Sequence, residues 1–448
     1  MSSVSLKKRF NVHFIGIGGV SMSALAKYLI IDGFIVTGSD KVYTSEIQLL
    51  RDMGAKVIIG HKAENVKNAN IVVYNSAITG QNVELKYALK NKIPIISRAQ
   101  LLKMIARRFK FRIGIAGSHG KTTVTSIIAH IFMCSNLSFT AHIGGNDKIL
   151  GNLAMFGKHM FVSEVCEFNK NIRLFEPDLA LCLNVDNDHL NCYSDISLLK
   201  DTMFEYLDKA SSKIINIDDQ YLKSYKNSSL TFGITQGDYT IKNERKLESG
   251  LINFDIFEYG KHLLSLTLNP KIYYTHHNVL ASICVARELK IAKQHIINGF
   301  DSFSGVERRN EYLGSFSDKP IYIDYAHHPT ELKVALNICG DNLARTLVIF
   351  QPHTYSRTRL LFEDFINVLS ACNNLIIYKT YAAREDFDYE GSAERLSKAI
   401  KQANYYNNEE DLVNHIIKYK DNFDKILVLG AGDLYITFKN LTKKKTVE

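Results

Sequence analysis

Proline is scarce, at 6 of 448 residues, and glycine is held to 26. Together these counts exclude long disordered or collagen-like tracts. No stretch approaches the ~18 uncharged apolar residues of a membrane span. Lys7-Lys8-Arg9 precedes an apolar run, but that run is broken by His13 and by Gly16, Gly18 and Gly19. It therefore reads as a strand feeding a glycine turn, not as a signal peptide. The seven cysteines are odd in number and scattered, and none forms a CxxC pair. Neither a zinc cluster nor a disulfide framework is suggested, and buried thiols in a reducing, cytoplasmic protein are expected. Lys+Arg exceeds Asp+Glu by 55 to 46, a formal charge of +9. No basic run is longer than the three residues near 7 and near 443. An ordinary basic surface is expected, with no nucleic-acid partner and no membrane insertion.

What is present is an alternation of apolar strands and amphipathic helices, the pattern of parallel sheets covered by helices. At roughly 150 residues per domain the length suggests about three domains. The first block has strands at Asn11–Ile15, Phe34–Thr37, Lys56–Ile59, Ile71–Tyr74 and Pro94–Ile96, with a helix over Ser21–Ile31. The basic stretch Arg107–Arg112 reads as a linker. The second block has strands at Phe111–Ala116, Met160–Ser163 and Leu179–Val185, short strands and turns over 213–270, and a closing helix at His277–Leu289. The third has strands at Ile321–Ile323, Thr346–Phe350, Asn374–Tyr378 and Ile426–Leu429, again as a parallel sheet. The expected boundaries are 1–108, 109–313 and 314–448.

Gly117-Ser118-His119-Gly120-Lys121-Thr122-Thr123 lies between a predicted strand and a predicted helix. The stricter phosphate-loop pattern wants glycine at 115, where isoleucine stands, so this is a shortened relative. Its glycines let backbone N–H groups converge on phosphate oxygens, and the helix N-terminus adds its dipole. Lys121 suits the β- and γ-phosphates and the Thr122 hydroxyl suits Mg²⁺. Glu164 ends the strand from Met160, and Asp188-His189 follows the strand ending at Val185. Singly these read as a surface carboxylate and a loop-capping histidine. On strand ends beside a phosphate loop, Thr122, Glu164 and His189 form a candidate metal set.

Two further constellations stand apart. Gly16-Ile17-Gly18-Gly19 follows the first strand, and Asp40 ends the second. This is close to a dinucleotide fingerprint and equally suits any diphosphate-bearing nucleotide. An NAD-dependent oxidoreductase is the reading from a different class, and it leaves the second glycine loop unexplained. In the third block, Asp324-Tyr325-Ala326-His327-His328-Pro329, the run from Phe350 to Arg357 and Gly430-Ala431-Gly432-Asp433 all end strands, so they are expected on one rim. Adjacent His327 and His328 diverge, which argues against one shared metal.

The whole set resembles the Mur ligases. The carriers are GIGG at 16–19 with GSD at 38–40, GSHGKTT at 117–123, Glu164 with NVDNDHL at 184–190, HN at 277–278, GVERRNE at 305–311, DYAHHPTE at 324–331, FQPHTYSRT at 350–358 and GAGD at 430–433. The match covers nearly the whole chain. DYAHHP and FQPHTYSR point to the branch that joins L-alanine to UDP-N-acetylmuramate, and to its nearest relative, which joins a murein tripeptide. The resemblance implies an α/β chain of three domains. These are a Rossmann-like domain for the UDP substrate, a central phosphate-loop ATPase, and a Rossmann-like domain closing over ATP. It implies the ligation of L-alanine to the lactyl carboxylate through an acyl phosphate, with ATP as cosubstrate and Mg²⁺, for peptidoglycan precursor synthesis.

By position, the resemblance implies catalytic roles for Lys121, Glu164, His189 and His328. Thr122, Glu164 and His189 are the implied metal ligands. Gly117, Ser118, His119, Gly120, Lys121, Thr122, Thr123, Asn278, Arg309, Asp324 and Tyr325 are implied at ATP. Gly16, Gly18, Gly19, Asp40, Ser76, His119 and Arg357 are implied at the UDP substrate. The base that deprotonates the amine is left among His327, His328 and His353. A monomer or weak homodimer is expected. Ser21 stands where glycine is usual, Asn191 where aspartate is common, and Ala281 where asparagine is common. The acidic run after Glu164 keeps only one further carboxylate, Glu167, so either could serve a metal; Glu164 lies nearer the strand end.

Overall fold

The computed structural model describes residues 9–187, 192, 193, 195–273 and 275–444. They form two compact units. One runs to Asn269 and takes in Thr275–Ser304; the other comprises Pro270–Tyr274 and everything from Gly305.

The first unit holds two sheets. In the first, β1 (Asn11–Ile15), β2 (Ile35–Asp40), β3 (Lys56–Ile59), β4 (Ile71–Tyr74) and β5 (Ile95–Ser97) lie in the order β3-β2-β1-β4-β5. All four pairings are parallel. This is the doubly wound layout, and it places the turns after β1 and β4 together at the switch in strand order. The helix Val20–Ile31 follows the first turn, and the helix Arg98–Ala106 follows β5. Ser97 and Gln100 start the latter with a reciprocal capping box.

The second sheet has ten strands: β6 (Phe111–Ala116), β7 (Phe139–Asp147), β8 (Gly151–Met155), β9 (Met160–Glu164), β10 (Leu179–Cys182), β11 (Ser212–Asn216), β12 (Leu230–Phe232), β13 (Tyr239–Lys246), β14 (Ile252–Glu258) and β15 (Lys261–Leu268). Its order is β15-β14-β13-β12-β11-β10-β6-β9-β7-β8. The centre is parallel, and β8, β14 and β15 are antiparallel additions. The helix Lys121–Cys134 is buried over most of its length, which is why it reads as apolar on all sides. β10 stops at Cys182, three residues short of the strand expected to reach Val185. Beyond it Asn184 turns to the phosphate loop, while Leu183 O accepts from Asn216 and Val185 N–H donates to Asp219.

The stretch Arg107–Arg112, expected as a linker, is fixed in place. Phe109 is buried, and its ring lies 6.1 Å from Tyr28 on one side and 5.0 Å from Phe161 on the other. Arg108 reaches Asp32 at 2.5 Å, Arg107 reaches Glu176 at 2.8 Å, and Arg112 reaches Asp178 at 2.9 Å. Lys27 is held between Glu46 at 2.7 Å and the fully buried Asn152 at 2.8 Å. Arg107 and Arg108, whose charges suggested a solvated connector, clamp two sheets that share one core, and Arg112 braces the second sheet.

The second unit is a six-stranded sheet: β16 (Glu311–Phe316), β17 (Lys319–Asp324), β18 (Thr346–Phe350), β19 (Asn374–Tyr378), β20 (Ala403–Tyr406) and β21 (Lys425–Leu429), in the order β16-β17-β21-β18-β19-β20. The expected strands pair in parallel, and β16 adds an antiparallel edge that contains Gly314. Cys134, Cys166, Cys182, Cys192, Cys284 and Cys372 are free thiols. No helix among the described residues is long and apolar enough to cross a membrane.

Candidate active site

β6 ends at Ala116 and the chain turns through Gly117 and Gly120, with φ of +135° and +87°, into the helix from Lys121. Both glycines are required by space as well as by angle. A Cβ on Gly117 would lie 2.9 Å from the Leu183 Cβ, and one on Gly120 would lie 2.7 Å from the Asn278 Oδ1. Asn184 staples the turn: its Oδ1 accepts from His119 N–H at 2.8 Å, and its Nδ2 donates to His119 O at 3.1 Å. His119 Nε2 meets Asp186 at 2.9 Å. Asn278 therefore packs against the loop, and Thr123 is buried beneath it in the helix.

The two carboxylates divide their work. Glu164, at the end of β9, accepts from the Thr122 hydroxyl at 2.8 Å. Glu167 is buried and meets Lys121 Nζ with both oxygens at 3.2 Å, while Nζ also donates to the carbonyls of Gly117 and Ser118. Burial works against the lysine's charge, but Glu167 first, then Cys166 and Glu164, more than offset it, and the pKa rises. Burial and the adjacent Glu167 carboxylate push the Cys166 thiol up to about 11, so it is uncharged at neutral pH.

Thr122 and Glu164 supply hydroxyl and carboxylate oxygens beside a phosphate loop, the donor chemistry of a hard cation such as Mg²⁺. Gly144 on β7 leaves the carboxylate its room, because a Cβ there would overlap its terminal atoms. The residues fit the metal. His189, the third expected ligand, lies outside the described residues, as do Asp188 and Asn191.

The first glycine loop has a similar economy. Gly16, at φ +80°, and Ile17 both donate to Ser39 O, at 2.8 and 3.1 Å. Asp40 Oδ2 accepts from Gly18 N–H at 2.8 Å, so this acid shapes the loop. Gly19 precedes the helix at Val20, and Ser76 is exposed in the turn after β4. The neighbouring Asn75 would stand 3.3 Å from a Cβ on Gly16, so the two turns adjoin.

In the second unit, the ends of β17, β21 and β18 are neighbours in the sheet, and their loops interlock. Asp324 is buried and accepts from the N–H groups of Asn310 and Ala326, both at 2.8 Å, and burial raises its pKa. Arg309 lies over the Tyr325 ring at 5.3 Å. His327 turns to Glu331 at 3.1 Å, whereas His328 accepts from Thr330 N–H at 3.3 Å; the adjacent imidazoles do diverge. Arg357 contacts His353 at 3.2 Å, and the rings of His353 and His327 are 5.7 Å apart. Gln351 joins the β18 and β21 ends by bonding Asp433 at 2.8 Å and Leu434 N–H at 3.1 Å.

Sequence reasoning missed Asn184, the ion pair of Lys121 with Glu167, and the contacts of Ser21. Asn184 sat inside the NVDNDHL motif, and its spacing from a phosphate loop was the available signal. Ala281, where asparagine is common, is buried in the helix His276–Glu288.

Three family models match in succession: the Mur ligase family catalytic domain over residues 11–110, the Mur ligase middle domain over 115–286, and the Mur ligase glutamate ligase domain over 308–432. The chain is 38% identical to a UDP-N-acetylmuramate–L-alanine ligase of Clostridium tetani, covering 97% of this chain and 98% of the relative. It is 37% identical to the protein of the same name in Clostridium perfringens, covering 96% and 98%. In fold it is similar to a UDP-N-acetylmuramate–alanine ligase from Thermotoga maritima, with a TM-score of 0.84 at 23% identity over 98% of this chain and all of that one. A murein peptide ligase from Psychrobacter arcticus follows with a TM-score of 0.77 at 18% identity, covering 97% and 98%. Two glycine loops built on one rigid frame and a match running from residue 11 to 432 lead to one conclusion: the chain belongs to the Mur ligase family.

Proposed function

We propose that this chain joins L-alanine to the lactyl carboxylate of UDP-N-acetylmuramate, using ATP and releasing ADP and phosphate. The observation that carries the reading is the phosphate loop with Lys121, Thr122 and Glu164 in place, on a chain alike over nearly its whole length to relatives of that name.

A carboxylate oxygen attacks the γ-phosphorus, the bond to the β-phosphate oxygen breaks, and ADP leaves. The alanine amine then adds to the acyl phosphate carbon, and the tetrahedral adduct expels phosphate to give the amide. The difficulty is the approach of two anions, so positive charge must stand ready. Lys121 supplies it, kept charged by its carboxylate neighbours and carried at the start of a helix whose N–H groups face the same phosphates. Mg²⁺, held by Thr122 and Glu164, would supply further charge neutralisation. The first glycine loop, with Asp40 shaping it and Ser76 in the adjoining turn, takes the UDP end. Asn278 packs against the phosphate loop. Arg309, Asp324 and Tyr325 serve ATP, His328 serves the reaction, and Arg357 serves the UDP substrate.

The test is ADP release from ATP, UDP-N-acetylmuramate and Mg²⁺, with L-alanine or with the murein tripeptide as acceptor. Release that depends on L-alanine, with the matching product mass, is expected. Turnover with the tripeptide alone would replace the reading. Lys121→Ala is expected to abolish ADP formation, and retained activity would refute the mechanism.

A further inference from the structure

The arginines of residues 107–112 each face a carboxylate: Arg107 on Glu176, Arg108 on Asp32 and Arg112 on Asp178. Arg98 does not. It opens the helix Arg98–Ala106 straight after β5 and is partly buried. Among the described residues its guanidinium makes one hydrogen bond, from Nη1 to the Ser21 hydroxyl at 3.0 Å. Among the described residues no carboxylate lies within ion-pair distance of it. A guanidinium offers five N–H donors in a fixed fork. With one donor used and no carboxylate facing it, the rest of the fork is left for an anion that arrives from outside.

What holds Arg98 is a chain of hydrogen bonds with one direction. A guanidinium only donates, so Ser21 Oγ accepts from it and sends its own hydrogen to His142 Nε2, 2.9 Å away. His142 is fully buried, and burial, followed by the charge of Arg98, brings its pKa down to about 3. It is therefore neutral, and its proton sits on Nδ1, which donates to Ser163 Oγ at 3.0 Å. Ser163 in turn donates to the carbonyl of Glu164 at 2.8 Å. The chain starts two residues past the first glycine loop and ends on the residue whose carboxylate Thr122 contacts. It registers Arg98 to both loops at once, and the charge of Arg98 is felt as far as Cys166, between Glu164 and Glu167.

We propose that Arg98 binds an oxyanion of the UDP-linked substrate, with Ser21 and His142 as the positioning residues that aim it. The identity of the ligand rests on the function proposed above. Ser21, which departs from the usual glycine, is then the residue that ties the arginine to the central sheet. The substrate carries two such groups, the diphosphate and the lactyl carboxylate, and both fit a planar donor fork.

Titration calorimetry without ATP separates them. The ligands are UDP, UDP-N-acetylglucosamine, which lacks the lactyl group, and UDP-N-acetylmuramate. The proteins are wild type, Arg98→Ala, Arg98→Lys and Ser21→Gly, with melting temperature and ADP binding as checks on folding. Arg98→Ala is expected to weaken binding about tenfold or more. Arg98→Lys, which keeps the charge but loses the fork, is expected to recover only part of it and carries the test where the alanine variant does not fold. Ser21→Gly is expected to fall between wild type and Arg98→Ala. Loss with all three ligands assigns the diphosphate; loss with UDP-N-acetylmuramate alone assigns the carboxylate. Arginine variants that bind all three as wild type does overturn this proposal alone. Wild-type protein that binds none of them overturns the proposed function, and this inference with it.

Discussion

Gly144 offers a sharp way to separate the chemistry from the fold. It lies on β7, and a methyl group added there would fall on the Glu164 carboxylate, with Oε1, Cδ and Oε2 all inside the 3.0 Å that real Cβ atoms keep. The flexible carboxylate yields before the strand does, and must retreat by about 1 Å or more. That breaks its 2.8 Å bond to Thr122 and removes one of the two oxygen groups fitted for the metal. The stability cost is small. One hydrogen bond of about 1 kcal/mol is lost, while alanine is favoured over glycine in a strand by a similar amount. The catalytic cost is large, because a misplacement of about 1 Å can cost ~100-fold in rate. Gly144→Ala is therefore expected to melt within a few degrees of wild type and to lose alanine-dependent ADP release by about two orders of magnitude. A folded variant that turns over within about threefold of wild type would show that the position of Glu164 does not matter, and the assignment of its carboxylate would fall.

Glu167→Gln removes the partner of Lys121 and leaves its charge held by the carbonyls of Gly117 and Ser118. Breaking a buried pair costs ~3–5 kcal/mol. A clear drop in melting temperature is expected, partly recovered when ATP supplies a replacement anion; an unchanged melting temperature would count against the pair. His142 has a folded pKa of about 3 against 6.5 for an unperturbed histidine. As pH falls through 6.5 the unfolded chain takes up the proton first. The stability conferred by the neutral ring is thus complete above 6.5 and lost progressively towards 3, at up to about 1.4 kcal/mol per pH unit. Urea midpoints at pH 7.5, 6 and 5 should fall less steeply in His142→Asn, and parallel slopes would contradict the neutral assignment.

The parallel strands were legible because buried strands read as unbroken apolar runs, as in Thr346–Phe350. The phosphate loop was legible because glycine, lysine and threonine there answer to one local requirement. The roles of Glu164 and Glu167 were not. They stand three residues apart where β9 gives way to irregular chain, Glu164 still on the strand and Glu167 beyond it. That irregular path decides which carboxylate faces threonine and which faces lysine. The edge strand β16 escaped notice because its residues are only partly buried and alternate weakly. Arg107, Arg108 and Arg112 misled for a related reason: charge signals solvent only where no carboxylate from elsewhere in the chain arrives to meet it.

The Phe109 ring has a consequence for anyone dividing the gene. A fragment that ends just before it would leave Tyr28 and the socket around it open to water, and would strand Asp32 without Lys158. A fragment that begins there would leave the Phe109 ring without Tyr28 and Asn152 without Lys27. Neither piece has a surface made for solvent at the cut. The two sheets should be produced, exchanged between relatives and cleaved as one inheritable module, and a protease should find its first site somewhere other than residues 107–112.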